Sequence, residues 1–189
     1  MRGAAVPQSL PLARSNAEAR VFLRLQPCHV CGSKDCAFDS AVLRVDGELV
    51  GRYRGGCAVC GAEREYLFRI PEQVLVPPAD GVRFGDERPS QLLDPGVWLW
   101  YSDRCARRLP EPGAALDDSR RRTARHTLAT ALAAVEEVLK FVPAGASAVP
   151  PAAFTSVDGR AVYEREPGRF DAARLAALRD HYASTLAGW

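Results

Sequence analysis

Between Ala41 and Ile70, apolar and polar residues alternate with the two-residue period of strands. From Asp94 onward the apolar residues recur every three to four positions, as on helices. Asp46-Gly47 is a strong two-residue hairpin turn. It joins a strand Ala41–Val45 to a strand Glu48–Arg54 and sets Leu43 opposite Val50. A third strand, Glu63–Ile70, places Tyr66, Phe68 and Ile70 on one face, and Pro71 ends it. Upstream, residues 1–14 read as a loose lead-in. Ser15-Asn16-Ala17-Glu18 matches a capping box and starts a short helix. Val21, Leu23 and Leu25 then alternate with Phe22, Arg24 and Gln26, which predicts a strand leading into Cys28.

Pro/Gly-rich segments at 77–90, 109–117 and 143–153 separate the helical patterns. Asp94-Pro95 is a capping acid followed by Pro at the first helical position. The helix it opens carries Trp98, Tyr101 and Cys105 on one face. The clearest helix runs from about Asp118 to Phe141, with Leu128, Leu132, Val135, Val138 and Leu139 as its apolar stripe. Glu136 and Lys140 form an i,i+4 pair on its outer side. A last helix starts near Asp171 and turns Leu175, Leu178, Tyr182 and Leu186 inward. Residues 15–76 thus read as a β region and 77–189 as a mainly helical region packed on it, the two forming one compact unit.

The chain has 189 residues, 47% hydrophobic and 25% charged, enough to bury a core without help from metal or disulfides. A formal net charge of +2 provides no strong drive toward nucleic acid or membrane. Of the 25 basic residues only Lys34 and Lys140 are lysine, a bias that suggests a GC-rich bacterial genome. No apolar run approaches the roughly 18 residues of a membrane span, and the first residues lack the apolar core of a secretory signal. A cytoplasmic location is the expectation, and there thiols stay reduced, so paired cysteines favour metal over disulfide.

Cys28-His29-Val30-Cys31-Gly32 and Cys57-Ala58-Val59-Cys60-Gly61 form two matching turns. Two residues between cysteines let both sulfurs of a tight turn point at one ion. The glycine that follows permits the positive φ that turns N–H groups toward sulfur. Two such turns make a tetrahedral thiolate site with Zn–S near roughly 2.3 Å. The metal ligands are therefore Cys28, Cys31, Cys57 and Cys60, and the cofactor is one structural Zn2+. Rubredoxin-type iron is the competing metal. Cys36 reads as a small buried residue, with a replacement ligand or a reactive thiol as alternatives, and Cys105 as core. His29 is a ligand only if a cysteine is displaced.

Over about residues 21–70 the paired C-x2-C-G turns resemble the zinc ribbon, a rubredoxin-like knuckle architecture. The resemblance implies a four-cysteine structural site at these same positions, with His29 where proline is frequent in the family. The fold class expected is α+β: an antiparallel zinc-ribbon sheet packed with three to four helices.

A closed four-sulfur site has no open position and does not activate water. Among the three histidines none stands in a catalytic spacing, and no phosphate loop or nucleophile elbow occurs. The reading leans away from an enzyme. It favours a non-catalytic protein–protein interaction or adaptor module, a component or inhibitor within a larger bacterial complex, with another protein as partner. A ribbon offers an exposed edge and an aromatic face, and Trp100 is a candidate contact because it lies nearly opposite Trp98 on its helix. The alternative is nucleic-acid binding through Arg52, Tyr53 and Arg54 together with Arg121, Arg122 and Arg125 of the Arg120–Arg125 run. Against it, residues 38–70 carry five arginines and five acids, a neutral balance.

Overall fold

Ser15 opens the first helix as the capping pattern requires: its hydroxyl accepts the Glu18 N–H at 3.1 Å. The computed structural model describes residues 10–189 apart from 74, 77, 79, 80 and 112. The chain divides into two compact units, one ending at Leu75 and one beginning at Val76.

In the first unit the helix α1 spans Asn16–Leu25. The strand expected over Val21–Leu25 is therefore the second half of this helix. Glu18, Ala19, Val21 and Leu23 are buried, and Phe22 and Leu25 partly so. At 100° per residue these six positions fall within one broad face, whereas their two-residue alternation is coincidental. The expected loose lead-in is also ordered from Leu10 on; residues 1–9 lie outside the described residues. Ala13 donates to the Arg69 carbonyl at 2.9 Å, and Arg69 donates to that of Pro11 at 3.0 Å. Arg14 and Glu18, at most 1% exposed, form a buried ion pair at 2.7 Å. Glu18 also accepts the Arg14 N–H, so the charges are hydrogen-bonded as well as paired.

The sheet has the order β1(Asp39–Val45), β2(Glu48–Gly56), β3(Glu63–Arg69), antiparallel throughout. Asp46 (φ 51°) and Gly47 (φ 87°) form the hairpin turn, and Leu43 pairs with Val50. Tyr53, Tyr66 and Phe68 share the inner face, and the Phe22 ring of α1 meets those of Tyr66 and Phe68 edge-on at 6.0 and 5.6 Å. Tyr53 donates its hydroxyl to Asn16 Oδ1 at 2.9 Å. Residues 11–13 meet the outer edge of β3 at its last residue, Arg69. Among the described residues no strand pairs with the outer edge of β1.

The second unit holds α2(Pro95–Ala106), α3(Asp118–Leu139), α4(Val157–Arg165) and α5(Ala172–Ala187), with short 3-10 turns at Pro151–Ala153 and Pro167–Phe170. With α1 the described α-helices number five, more than the three to four expected. The additional helix is α4, whose sequence is mostly polar and whose one fully buried residue is Gly159. Its position follows from Asp94. That carboxylate accepts Val97 N–H at 3.0 Å, capping α2, and accepts Ser156 N–H and Oγ–H at 2.8 and 2.6 Å. Ser156 in turn caps α4 by accepting Gly159 N–H at 2.9 Å. A Cβ at Gly159 would lie 1.9 Å from Asp94 Oδ1, and one at Gly96 would lie 2.2 Å from the Gly159 carbonyl oxygen. Two glycines thus allow the helix starts to touch.

Between α2, α3 and α5 the core comprises Cys105, Leu128, Ala131, Val135 and Tyr182. Trp98 is fully buried against Phe84, ring centroids 4.8 Å apart. Lys140 pairs with Glu137 at 2.6 Å rather than with Glu136. Glu137 is 1% exposed on the inner face of α3, and a buried carboxylate requires a nearby cation more than an exposed one does.

Gly159→Ala is expected to destabilise the protein by about 1–3 kcal/mol, the usual cost of forcing atoms into a filled site. A thermal melt checks it, and an unchanged midpoint would contradict the close approach of α2 and α4.

Candidate metal centre

Each cysteine turn is built by the same backbone bonds. Gly32 N–H donates to the Cys28 carbonyl at 2.8 Å, and Cys28 N–H donates to that of Ser33 at 2.7 Å. In the second turn, Gly61 donates to Cys57 at 2.8 Å and Cys57 to Ala62 at 3.0 Å. The reversal needs a left-handed residue after the second cysteine, and Gly32 (φ 74°) and Gly61 (φ 72°) take that conformation.

These turns bring Cys28, Cys31, Cys57 and Cys60 together, all four sulfurs within 4.8 Å of one another. Cys28 Sγ lies 3.7 Å from Cys60 Sγ, and Cys31 Sγ lies 3.5 Å from Cys57 Sγ. Sulfurs about 2.3 Å from a central ion, the zinc–thiolate length, stand about 3.8 Å apart at the corners of a tetrahedron. The set is therefore close enough to hold a metal ion, and it is compatible with a zinc-ribbon-like site.

The N–H groups of Cys31 and Val30 point at Cys28 and, helped by Cys60 and Cys57, lower its thiol to about 6 despite burial. The N–H groups of Cys60 and Val59 lower Cys57 in the same way. At Cys31 the Ser33 N–H favours the thiolate, but the Cys60 sulfur, burial and the Cys57 and Cys28 sulfurs outweigh it and push the thiol up to about 12. Four thiolates at this separation repel, so without a cation the set retains protons, which a metal displaces on binding.

Two further contacts fix the turns, and neither was legible as such in the sequence. The Asp35 backbone carbonyl accepts the Ala58 N–H at 2.9 Å, and Cys36 bridges to Cys57 across the backbone. Gly55 makes room for this segment, since a Cβ there would lie 1.8 Å from the Ala37 carbonyl oxygen. Arg64 is 5% exposed. Its guanidinium lies 5.5 Å from the Phe38 ring centroid and 5.3 Å from that of Tyr66, and it donates to the Tyr66 hydroxyl. It also donates to the Gln26 carbonyl at 3.1 Å, just past the end of α1. One side chain thus ties the chain entering the first turn to the strand leaving the second. The alternation Glu63-Arg64-Glu65 on β3 was the signal, because it puts Arg64 on the aromatic face.

The other candidates separate. His29 is exposed, and Cys36 lies outside the four-sulfur group, its thiol 3.1 Å from the Gly56 carbonyl oxygen. Cys36 is half-buried rather than buried, while Cys105 is in the helical core. Tyr53 is 4% exposed and faces α1, so its ring is not at the surface between Arg52 and Arg54. Arg54 pairs with Glu63 at 2.9 Å. Arg121 and Arg122 are exposed on the first turns of α3, but Arg125 donates to the Leu186 carbonyl at 3.2 Å and fastens α3 to α5. Trp100 is half-buried with the Arg104 guanidinium 5.5 Å from its ring centroid. No described helix is long and apolar enough to cross a membrane.

No protein family model matches the chain, and neither a curated protein nor a solved structure is similar to it.

Metal analysis of the purified chain is expected to give one ion per chain. Cys57→Ser should abolish binding and lower the melting temperature sharply, whereas Cys36→Ser should keep the full metal content. Equal metal loss in both variants would place Cys36 among the ligands.

Proposed function

We propose that the four cysteines hold one structural zinc and that the ribbon it staples is a non-catalytic module that binds another protein. Zinc fits better than iron because a closed tetrathiolate centre of either metal would fold the turns, while no feature of this site calls for electron transfer. Four sulfurs fill the coordination sphere, so the ion would serve the fold and leave no position for water or substrate.

The observation that carries the protein-binding reading is the outer edge of β1, with which no strand among the described residues pairs. Val45 and Glu48 flank a two-residue turn and so form a hydrogen-bonded pair. By antiparallel alternation, Ser40, Val42 and Arg44 turn their N–H and C=O groups away from β2. Val42, at the middle of this edge, is 65% exposed, and the strand contains neither proline nor lysine, the residues that commonly guard an edge. An extended segment of a partner can add there as a fourth strand. Val30 and Val59, at the same position in each cysteine turn, are 64% and 67% exposed and add apolar surface to the same unit. A nucleic-acid reading has less support, because Tyr53 is buried and Arg54 is paired.

The tagged full chain is expected to retain a stoichiometric protein that rebinds when purified. Val42→Pro removes an outward N–H and no bond to β2. It should weaken that complex about tenfold or more while zinc content and melting temperature persist. Undiminished affinity would remove the β1 edge from the interface. Capture of nuclease-sensitive material alone would overturn the protein-binding reading.

A further inference from the structure

The helix α2 carries a second surface, in the other unit of the chain. Trp98, Leu99, Ser102 and Cys105 are buried, which sets the inward face of α2. Three- and four-residue steps place Val97, Trp100 and Arg104 on the opposite side, and Arg107 and Arg108 follow in the turn just past the end of the helix. Arg104, Arg107 and Arg108 are exposed, and Trp100 and Val97 are half-buried. Between Val97 and Pro110 the single acid is Asp103. It is 18% exposed and engaged by Arg169 in a two-pronged pair at 2.7 and 2.8 Å, with Arg107 at 4.0 Å. The stripe is therefore cationic toward its C-terminal end, with an indole beside the first of its arginines.

Cations are favoured at a helix C-terminus, where they offset the carbonyl dipoles. That accounts for arginines there but not for a tryptophan left partly exposed beneath one of them. Tryptophan and arginine are the residues that dominate protein interfaces, because a flat apolar ring and a planar charge desolvate together. Arg104 already stands over the ring of Trp100 at 5.5 Å, which holds the guanidinium in place before a partner arrives.

We propose that this face of α2 docks an acidic protein segment: carboxylates on Arg104, Arg107 and Arg108, and an apolar or aromatic side chain on Trp100. A peptide fits better than nucleic acid because the stripe has one aromatic ring, whereas a single strand needs successive stacking platforms. The residues are other than those of the β1 edge, so the chain would engage protein through two sets of groups, one by backbone pairing and one by charge.

The test uses the zinc-loaded full chain and a fluorescein-labelled peptide of repeated Glu, Asp and Phe, read by anisotropy at moderate salt. Comparison probes are the same peptide with Lys for each acid and a labelled oligo(dT). The acidic peptide should bind and the basic one should not. Trp100→Ala and Arg104→Glu should each weaken binding about tenfold or more, while Arg20→Glu on α1, with the same charge change, should leave it as in the wild type. Circular dichroism and zinc content report folding, and Arg104→Glu decides the matter if Trp100→Ala does not fold. Val42→Pro should not alter peptide affinity. Equal affinity in the α2 variants, loss with Val42→Pro instead, or binding of oligo(dT) in preference to the peptide would each overturn the proposal. An absence of peptide binding beside an intact captured complex would remove this face and leave the β1 edge standing.

Discussion

Four sulfur atoms within 4.8 Å of one another are the constraint on which the first unit rests. Thiolates so close repel, and thiols so close gain little, so the arrangement is stable when a cation sits among them. The surrounding structure is small: three strands and one ten-residue helix. Three strands with one covered face are near the lower limit of independent stability. The unit concentrates its remaining order around the two cysteine turns. Arg64 holds the exit of α1 to β3, and the Asp35–Cys36 segment holds the second turn from its other side. A buried guanidinium is an unusual choice for such a brace. The faces of Phe38 and Tyr66, the Gln26 carbonyl and the Tyr66 hydroxyl around it compensate the lost water.

The helical unit uses a different device. Asp94 serves two helices at once, accepting from Val97 at the start of α2 and from Ser156 at the start of α4. Because the carboxylate satisfies donors of both helix starts, the two must lie close, and Gly96 and Gly159 remove the side chains that would stand between them. Arg125 performs a comparable task between α3 and the C-terminal end of α5, donating to a carbonyl of its last turn.

What the sequence made legible were features in which a few adjacent residues determine the outcome. The hairpin register, the two glycine-terminated cysteine turns and the caps Ser15 and Asp94 belong here. What it hid depends on residues far apart in the chain. The alternation of Val21, Leu23 and Leu25 taken alone matches a strand, and it becomes part of a broad helix face only when the buried Glu18 and Ala19 and the half-buried Phe22 are counted with it. Residues 11–13 show no strand pattern because their pairing is made by Arg69, more than fifty positions later. Arg64 counts as one surface charge among five until β3 is seen to turn it inward. Lys140 could reach either Glu136 or Glu137, and burial of the second settles the choice.

The two edges of the sheet differ at one point: Pro11 and Ala13 bond to Arg69, the last residue of β3, whereas among the described residues no strand lies beside β1. A sheet grows copy upon copy only where each added strand finds a matching run of free backbone groups on the next. With the Arg69 end of β3 already taken up by its own chain, an incoming strand meets a shortened template on that side, and joining copies through unlike edges is disfavoured to that extent.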